Sequence, residues 1–248
     1  MARRAVLGLF AAALAAALPA CESTQDQSAR LAKGASKLLA VQGVKIAHAN
    51  RSVAVVGRTV LRDANGVAAV VTLRNSGPAQ AKVPLLIALR DAKGRTLYSN
   101  AVPGLDPSLT SVSAIARGDR TFWVNNQIQA ARPPRTLSAR VGVAAGRTPA
   151  ELPQIEVTKL KLLRDTDGAF ARGVIANRSK VPQRRLVVSC LSRRGGRIVA
   201  AGRAIVDRLP PAPTPKPQTF RVYFIGDPAG GEMRCVAPPT VIEPGGSA

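Results

Sequence analysis

Side chains that could do chemistry are scarce in this chain of 248 residues, which has one histidine, three cysteines and 14 acidic residues. A Ser-His-Asp triad needs a histidine base. The only candidate, His48, lies in Ala47–Asn50 beside a predicted turn, which favours a surface position. A zinc site needs paired Cys and His ligands, and the chain has no second Cys pair to supply them. We therefore expect no catalytic residue, no metal, no cofactor and a non-enzymatic protein.

Two aspartates recur in similar surroundings, because Asp63 and Asp165 are each followed three positions later by a glycine. Asp-x-x-Gly is typical of a hairpin turn in which the Asp side chain accepts hydrogen bonds from the backbone. A calcium loop alternates several carboxylates, and Asp165 with Asp167 offers only two. Gly195–Gly196 lacks the following helix and the Lys-Ser/Thr pair of a phosphate-binding loop. Both aspartates are thus predicted to close turns.

The N-terminus has the pattern of an export signal. Arg3 and Arg4 precede an apolar run over residues 6–18. This run is too short for a membrane-spanning helix, which needs about 20 apolar residues. It has the length of a signal-peptide core, about 7 to 15 residues. Residues 1–20 are therefore predicted to be a signal peptide; the alternative of a twin-arginine signal fits the surrounding residues less well.

Cys21 stands where cleavage of that signal is expected. Leu18-Pro19-Ala20-Cys21 resembles the bacterial lipobox, in which a Leu and two small residues precede the cysteine that is acylated before cleavage. An ordinary secretory signal with a chance cysteine is the alternative. We expect Cys21 to carry lipid (palmitate or a similar acyl chain) and residues 21–40 to be a tether. The protein would then lie on the outer face of the cell membrane, or in the outer membrane of a cell with two.

The two remaining cysteines, Cys190 and Cys235, form an even pair in an exported protein. Oxidising compartments favour disulfides. We therefore predict a Cys190–Cys235 disulfide. Two free thiols, or one thiol joined to a partner protein, are the alternatives.

The net charge of +22 attracts polyanions. For an exported protein the candidates are anionic lipid headgroups and phosphate-bearing wall polymers. The basic residues are scattered, which favours a solvated basic surface. Nucleic-acid binding would need accessible aromatic platforms between basic residues. The nearest segment is Arg221–Phe224, where Phe220 and Phe224 have core spacing, so we expect no nucleic-acid partner.

The chain contains an internal repeat. The segments 61–66 (LRDANG) and 163–168 (LRDTDG) match at an offset of 102 residues, and no gap is needed as far as Leu97; further matches at this offset pair Asn75 with Asn177, Leu89 with Leu191 and Gly94 with Gly196. Thr121–Val124 matches Thr219–Val222 at a shorter offset. The predicted domains are residues 41–147 and 152–240, followed by a flexible tail at 241–248.

The residue pattern of each copy predicts β-structure. Val67–Leu73 and Leu85–Arg90 are rich in strand-forming residues and are bounded by turn residues. Asp91–Gly94 predicts a hairpin turn. About seven such strands in about 100 residues are typical of an antiparallel immunoglobulin-like β-sandwich, so the fold class is all-β with two tandem sandwiches. Ile87, Leu89, Phe122 and Val124 are the predicted core of the first copy, which would be held by packing alone.

One loop of the second copy, Leu209–Pro217, holds five prolines in nine residues. This composition favours an extended connection. We interpret it as a rigid loop that replaces the longer Ser99–Asp119 connection of the first copy. A docking segment is the alternative.

The strand patterns are similar to those of the FxLYD-type β-sandwich domains of bacterial surface lipoproteins. The naming motif falls on Ile87–Asp91, where Leu89 and Asp91 match it; in the second copy only Leu191 does. The resemblance implies a fold and a surface location, and it implies no activity.

These features together predict a membrane-anchored surface lipoprotein with an envelope interaction or structural role. Two alternatives are a binding module for an anionic cell-wall ligand and an accessory subunit of an envelope enzyme or transporter.

Replacing Cys21 by Ser tests the anchor. The variant should lose incorporated fatty acid and leave the membrane fraction, because the acylated thiol is gone. Labelling with a radioactive fatty acid and cell fractionation measure both. A variant that stays membrane-bound and labelled would contradict the prediction.

Overall fold

The computed structural model describes residues 43–144, 148, 151–212 and 217–242. The predicted signal peptide, Cys21, the tether and all but the first residues of the predicted tail lie outside the described residues. The described chain is all-β, with 61% of it in strands and antiparallel sheets throughout. Within these ranges no helix has the length and apolar character needed to span a membrane.

The first repeat builds two sheets from seven strands. Its strands are β1 (Val53–Asp63), β2 (Gly66–Asn75), β3 (Gln80–Arg90), β4 (Thr96–Ser99), β5 (Ser111–Ile115), β6 (Arg120–Ile128) and β7 (Thr136–Val141). One sheet has the order β1-β2-β6. In the other sheet, β4 and β5 lie one after the other along one edge of β3, and β7 lies along the opposite edge.

The second repeat follows the same plan. Its strands are β8 (Ile155–Asp165), β9 (Gly168–Asn177), β10 (Gln183–Arg194), β11 (Arg197–Leu209), β12 (Gln218–Tyr223), β13 (Ile225–Gly226) and β14 (Glu232–Val236). The sheets have the orders β8-β9-β12 and β13-β11-β10-β14. No described sheet mixes strands of the two repeats, yet the described residues of both belong to one compact unit.

Alternation of apolar residues along the strands builds a core inside each repeat. In the first, Ile87 and Leu89 are fully buried among side chains from both sheets, as predicted. In the second, Phe220 and Phe224 are buried in the equivalent core, as their spacing predicts. Each repeat is thus a pair of sheets packed face to face, consistent with a β-sandwich.

A third apolar cluster joins the two repeats. Phe122 and Val124, together with Val70, point out of the sheet β1-β2-β6 and pack against Leu191 and Ala201 of the sheet that contains β10 and β11. The prediction that Phe122 and Val124 belong to the core of the first repeat is therefore wrong. Trp123 on the opposite face fills that core instead, because successive residues of a strand point to opposite faces.

The structure also corrects the ungapped alignment of the repeats. Ile87 pairs with Ala139, and in the second repeat Cys190 pairs with Cys235. Lys82 and Arg185, which share a positive φ near the starts of β3 and β10, lie five residues before Ile87 and Cys190. Cys190 therefore occupies the place of Ile87 and not that of Ala88, and Cys235 occupies the place of Ala139. One additional residue precedes β10, and both repeats have the same bulge, at Leu89/Arg90 and at Ser192/Arg193. The turn that follows is one residue shorter in the second repeat, which restores the alignment there.

The strongest aromatic match between the repeats is misaligned in the same way. Val71 pairs with Trp123, and Gly173 pairs with Phe220, so Trp123 and Phe220 are equivalent. The sequence match had placed Phe122 opposite Phe220. A Cβ on Gly173 would lie 2.6 Å from Cζ of Phe220, so this position stays a glycine to make room for the ring.

Cys190 and Cys235 are joined by a disulfide across β10 and β14, with Cα atoms 4.1 Å apart. Adjacent antiparallel strands bring opposite Cα atoms this close at non-hydrogen-bonded pairs. The bridge spans 45 residues, for which the chain-entropy model gives a stabilisation of about 4 kcal/mol. It supplements the smaller apolar core of the second repeat.

The repeats differ most between β4 and β5. In the second repeat the single strand β11 follows the whole of β10, where in the first β4 and β5 are separated by an inserted segment, residues 100–110. The proline-rich loop after Leu209 therefore does not replace this connection, contrary to the prediction. Residues 213–216 of that loop lie outside the described residues.

Replacing Phe122 by Ala should lower the free energy of unfolding by about 3 to 5 kcal/mol, because it empties the cluster between the repeats. Urea denaturation measures it. Val102, which is 50% exposed, provides the control, and its change to Ala should cost less than about 0.5 kcal/mol. A loss under about 1 kcal/mol for Phe122 would contradict the burial seen here.

Candidate functional site: the cleft between the repeats

A cleft of about 400 Å³ opens where the two repeats meet. The first repeat contributes the inserted segment, β5 and β6, and the second contributes the start of β10 and the chain after β14. Apolar atoms form most of the lining surface, and the apolar residues are Pro107, Val112, Phe122, Trp123, Val187 and Pro238. The polar lining residues are Lys82, Asp106, Ser108, Ser111, Ser113, Arg185, Ser189 and Thr240.

The inserted segment forms one wall through a short 3₁₀ turn, Pro107–Leu109. Asp106 caps this turn by accepting a hydrogen bond from the backbone N–H of Ser108 at 2.9 Å, and Pro107 favours the first position of the turn. The indole N–H of Trp123 donates to the carbonyl of Ser108 at 2.9 Å. Hydrogen bonds to Asp106 and to Trp123 of β6 therefore hold this wall in place.

Asn100 holds the start of the same wall in place. Its buried side-chain amide donates to the carbonyls of Leu85 and Leu109, at 2.7 and 2.8 Å, and its carbonyl accepts from the backbone N–H of Ile87 at 2.7 Å. Between β4 and β5 no strand pairs with this part of β3. The side chain of Asn100 bonds there to the backbone groups of Leu85 and Ile87 that a neighbouring strand would otherwise pair.

Two cations of the cleft, Lys82 and Arg185, have an uncommon backbone. Their φ angles are 50° and 48°, in the left-handed region that residues other than glycine rarely adopt. Lys82 lies two residues after Gln80 at the start of β3, and Arg185 two residues after Gln183 at the start of β10, so the two are equivalent. Both side chains line the cleft. Such strain is concentrated at functional sites, and two of the three described non-glycine residues with a positive φ line this cleft, the third being Lys159 of β8.

Asp106 and Arg185 form an ion pair from one repeat to the other. Burial alone would raise the pKa of Asp106. Hydrogen bonds from Ser108 and the charge and hydrogen bond of Arg185 outweigh this effect, so the pKa lies below the usual value. Asp106 is therefore ionised at neutral pH and is the single acid in the lining.

Arg203 of β11 lies behind this pair and is only 8% exposed. Its Nη2 donates to Oγ of Ser108 at 2.7 Å, and Ser108 in turn donates to Asp106. Its Nη1 is buried without a hydrogen-bond partner among the described residues. Burial lowers the pKa of Arg203 and the repulsion of Arg185 adds to this, while Asp106 and Tyr98 act in the opposite direction.

The charges at the cleft do not balance. Arg185 and the buried Arg203 share one carboxylate, Asp106, and several hydroxyl groups lie beside them. An apolar wall with a few converging polar groups is the usual form of a small-molecule site, and 400 Å³ lies within the usual size range. The arrangement suits an acidic group attached to an apolar body.

The residues singled out from the sequence lie elsewhere. His48 is exposed, and the Cys190–Cys235 disulfide lies in the core of the second repeat. Asp63 and Asp165 each accept a hydrogen bond from a backbone N–H two residues on, as predicted for turn residues. Asp63 also accepts one from Gly226 of the second repeat at 2.7 Å. Among the described residues no group of three acids, Cys or His could hold a metal ion.

Asp106, Arg185 and Arg203 were missed because they converge from three distant segments. The only local signal was Asp106-Pro107, a typical start of a helical turn. Nothing in the sequence indicated that Arg203 is buried at the boundary between the repeats.

Comparison of the chain with protein-family models, with curated proteins and with solved structures found no match. The resemblance to FxLYD-type domains therefore stays a prediction.

The ion pair predicts a pH dependence of stability. The pKa of Asp106 is lowered on folding, so its contribution is complete above the unfolded value of 3.8 and is lost as the pH falls below it. Replacing Asp106 by Asn should therefore destabilise the protein at pH 7 and have a smaller effect near pH 3. Urea denaturation at both values measures this difference. The exposed Asp207, changed to Asn, is the control; equal effects of the Asp106 change at both pH values would contradict the prediction.

Proposed function

We propose that this chain is a non-enzymatic, lipid-anchored envelope protein, built of two immunoglobulin-like repeats, that binds a small acidic ligand in the cleft between them. The lipobox-like segment that ends at Cys21 supports the anchor and the address. The uneven charge of the cleft supports the ligand class. A surrounding apolar wall lowers the local dielectric, which strengthens the attraction between an anion and these cations.

The observation that carries the proposal is the buried Arg203, whose Nη1 has no partner among the described residues. A guanidinium that is nine-tenths buried costs free energy unless it is paired. Asp106 is hydrogen-bonded to Ser108 and Arg185, so it acts on Arg203 through its charge and through Ser108 and accepts no hydrogen bond from Nη1 of Arg203. An acidic ligand beside Ser108 and Arg185 would bring the missing negative charge.

The single tryptophan of the chain, Trp123, lines the cleft, so its fluorescence can report ligand binding there. We expect 1-anilinonaphthalene-8-sulfonate, an aromatic sulfonate, to change the fluorescence of Trp123 with saturation. Its neutral relative N-phenyl-1-naphthylamine, which lacks the sulfonate, should bind at least about tenfold more weakly, the effect of roughly one charge-assisted hydrogen bond.

Two variants break the same ion pair with opposite effects on charge. Replacing Arg185 by Gln removes a cation and should weaken binding of the sulfonate. Replacing Asp106 by Asn removes the competing carboxylate and should tighten it. Loss of the ion pair alone would move both variants in the same direction. A sulfonate affinity that changes alike in both, or no saturable signal in the parent protein, would contradict the proposal.

A further inference from the structure

The outer face of the sheet β8-β9-β12, on the far side of the second repeat from the cleft, carries a row of three cations. Lys161 of β8 pairs with Arg172 of β9, and Arg172 pairs with Arg221 of β12. Directly paired residues point to the same face, so the three side chains stand side by side. All three are exposed, and no acidic residue belongs to the row.

Such a row is unfavourable in the isolated protein. Like charges directly opposite each other on neighbouring strands destabilise a sheet. The equivalent row of the first repeat is Thr59, Val70 and Val124, which pair in the same way and contain no charge. The fold therefore does not require cations at these positions.

One of the three cations, Arg221, contacts aromatic side chains. The guanidinium of Arg221 lies 5.3 Å from the centre of the Phe170 ring, which is buried beneath it. The ring of Tyr223 lies 5.2 Å from that of Phe170, and the Tyr223 hydroxyl donates to Asp165 at 2.7 Å. Arg221 also hydrogen-bonds to the Tyr223 side chain, and its remaining N–H groups can donate to a phosphate.

We propose that this row binds a linear polymer that carries a phosphate group in each repeating unit. Strands lie about 4.8 Å apart, so the row spans roughly 10 Å across the sheet, more than one phosphate group covers. Several phosphates in series would neutralise the three cations together. This site is independent of the cleft, which faces the other sheet of the second repeat.

A membrane surface is the other anionic partner, and the face suits it less. Peripheral membrane binding is strengthened by protruding apolar side chains beside the basic ones. Here Leu163 is 38% exposed and Phe170 is buried, so little apolar surface protrudes. The cations also form a single line, which follows a chain and does not cover a plane.

Binding of inorganic polyphosphate to the soluble chain without residues 1–21 tests the proposal, provided that thermal unfolding first shows this form to be folded. We expect tight, salt-sensitive binding of polyphosphate and weak binding of monomeric phosphate. The change of Lys161, Arg172 and Arg221 to Gln should lower the polyphosphate affinity at least about tenfold and make it less salt-dependent. The matched control changes Lys93, Arg117 and Arg132, three exposed cations of the first repeat, to Gln and should change the affinity less than about threefold.

A single change separates binding from folding. Arg172→Val introduces the residue found at the equivalent position, Val70, and relieves the repulsion. This variant should unfold at the same temperature as the parent or a higher one and still bind polyphosphate more weakly. Equal loss of affinity in the triple variant and its control would overturn the proposal. The proposal would also be overturned if the triple change weakened binding to phosphatidylglycerol vesicles and left binding to polyphosphate unchanged.

Discussion

The apolar face between the repeats is the constraint on which the rest of the molecule depends. Val70, Phe122 and Val124 point away from the core of their own repeat, so their sheet is apolar on both faces. Exposed apolar patches of this kind need a partner. The sheet with β10 and β11 covers them, and the two repeats consequently form one compact unit. The cleft lies at the margin of this contact, where the inserted segment of the first repeat extends beside β10.

Much of the fold could be predicted from the sequence because strand alternation and turn residues are local signals. Val67–Leu73, Leu85–Arg90 and the turn Asp91–Gly94 are strands and a hairpin turn as predicted, and Gly94 has the positive φ that the turn needs. Alternation cannot tell which apolar face is buried inside a repeat when both faces are apolar. For that reason Phe122 was assigned to the wrong cluster.

The errors in aligning the repeats have the same physical origin. A shift of one residue along a strand exchanges its two faces. The matching Thr-Phe-x-Val segments therefore share letters while their Phe residues, Phe122 and Phe220, point to opposite faces. The candidate site could not be predicted at all, because Asp106, Arg185 and Arg203 meet only when the repeats pack together.

Equivalent rows of residues are apolar or uncharged in the first repeat and basic in the second, and the packing of the repeats explains this difference. The contact joins the three-stranded sheet of one repeat to the larger sheet of the next, so it is heterologous and would continue without end if the second repeat carried the same apolar face. Arg172 in place of Val70 ends the series, as polar outer faces do at the last unit of repeat proteins. A single charge at this face would be enough to prevent a third unit from packing there. Three cations directly paired across the strands are more than this purpose requires. Their mutual repulsion would be relieved by a bound anion.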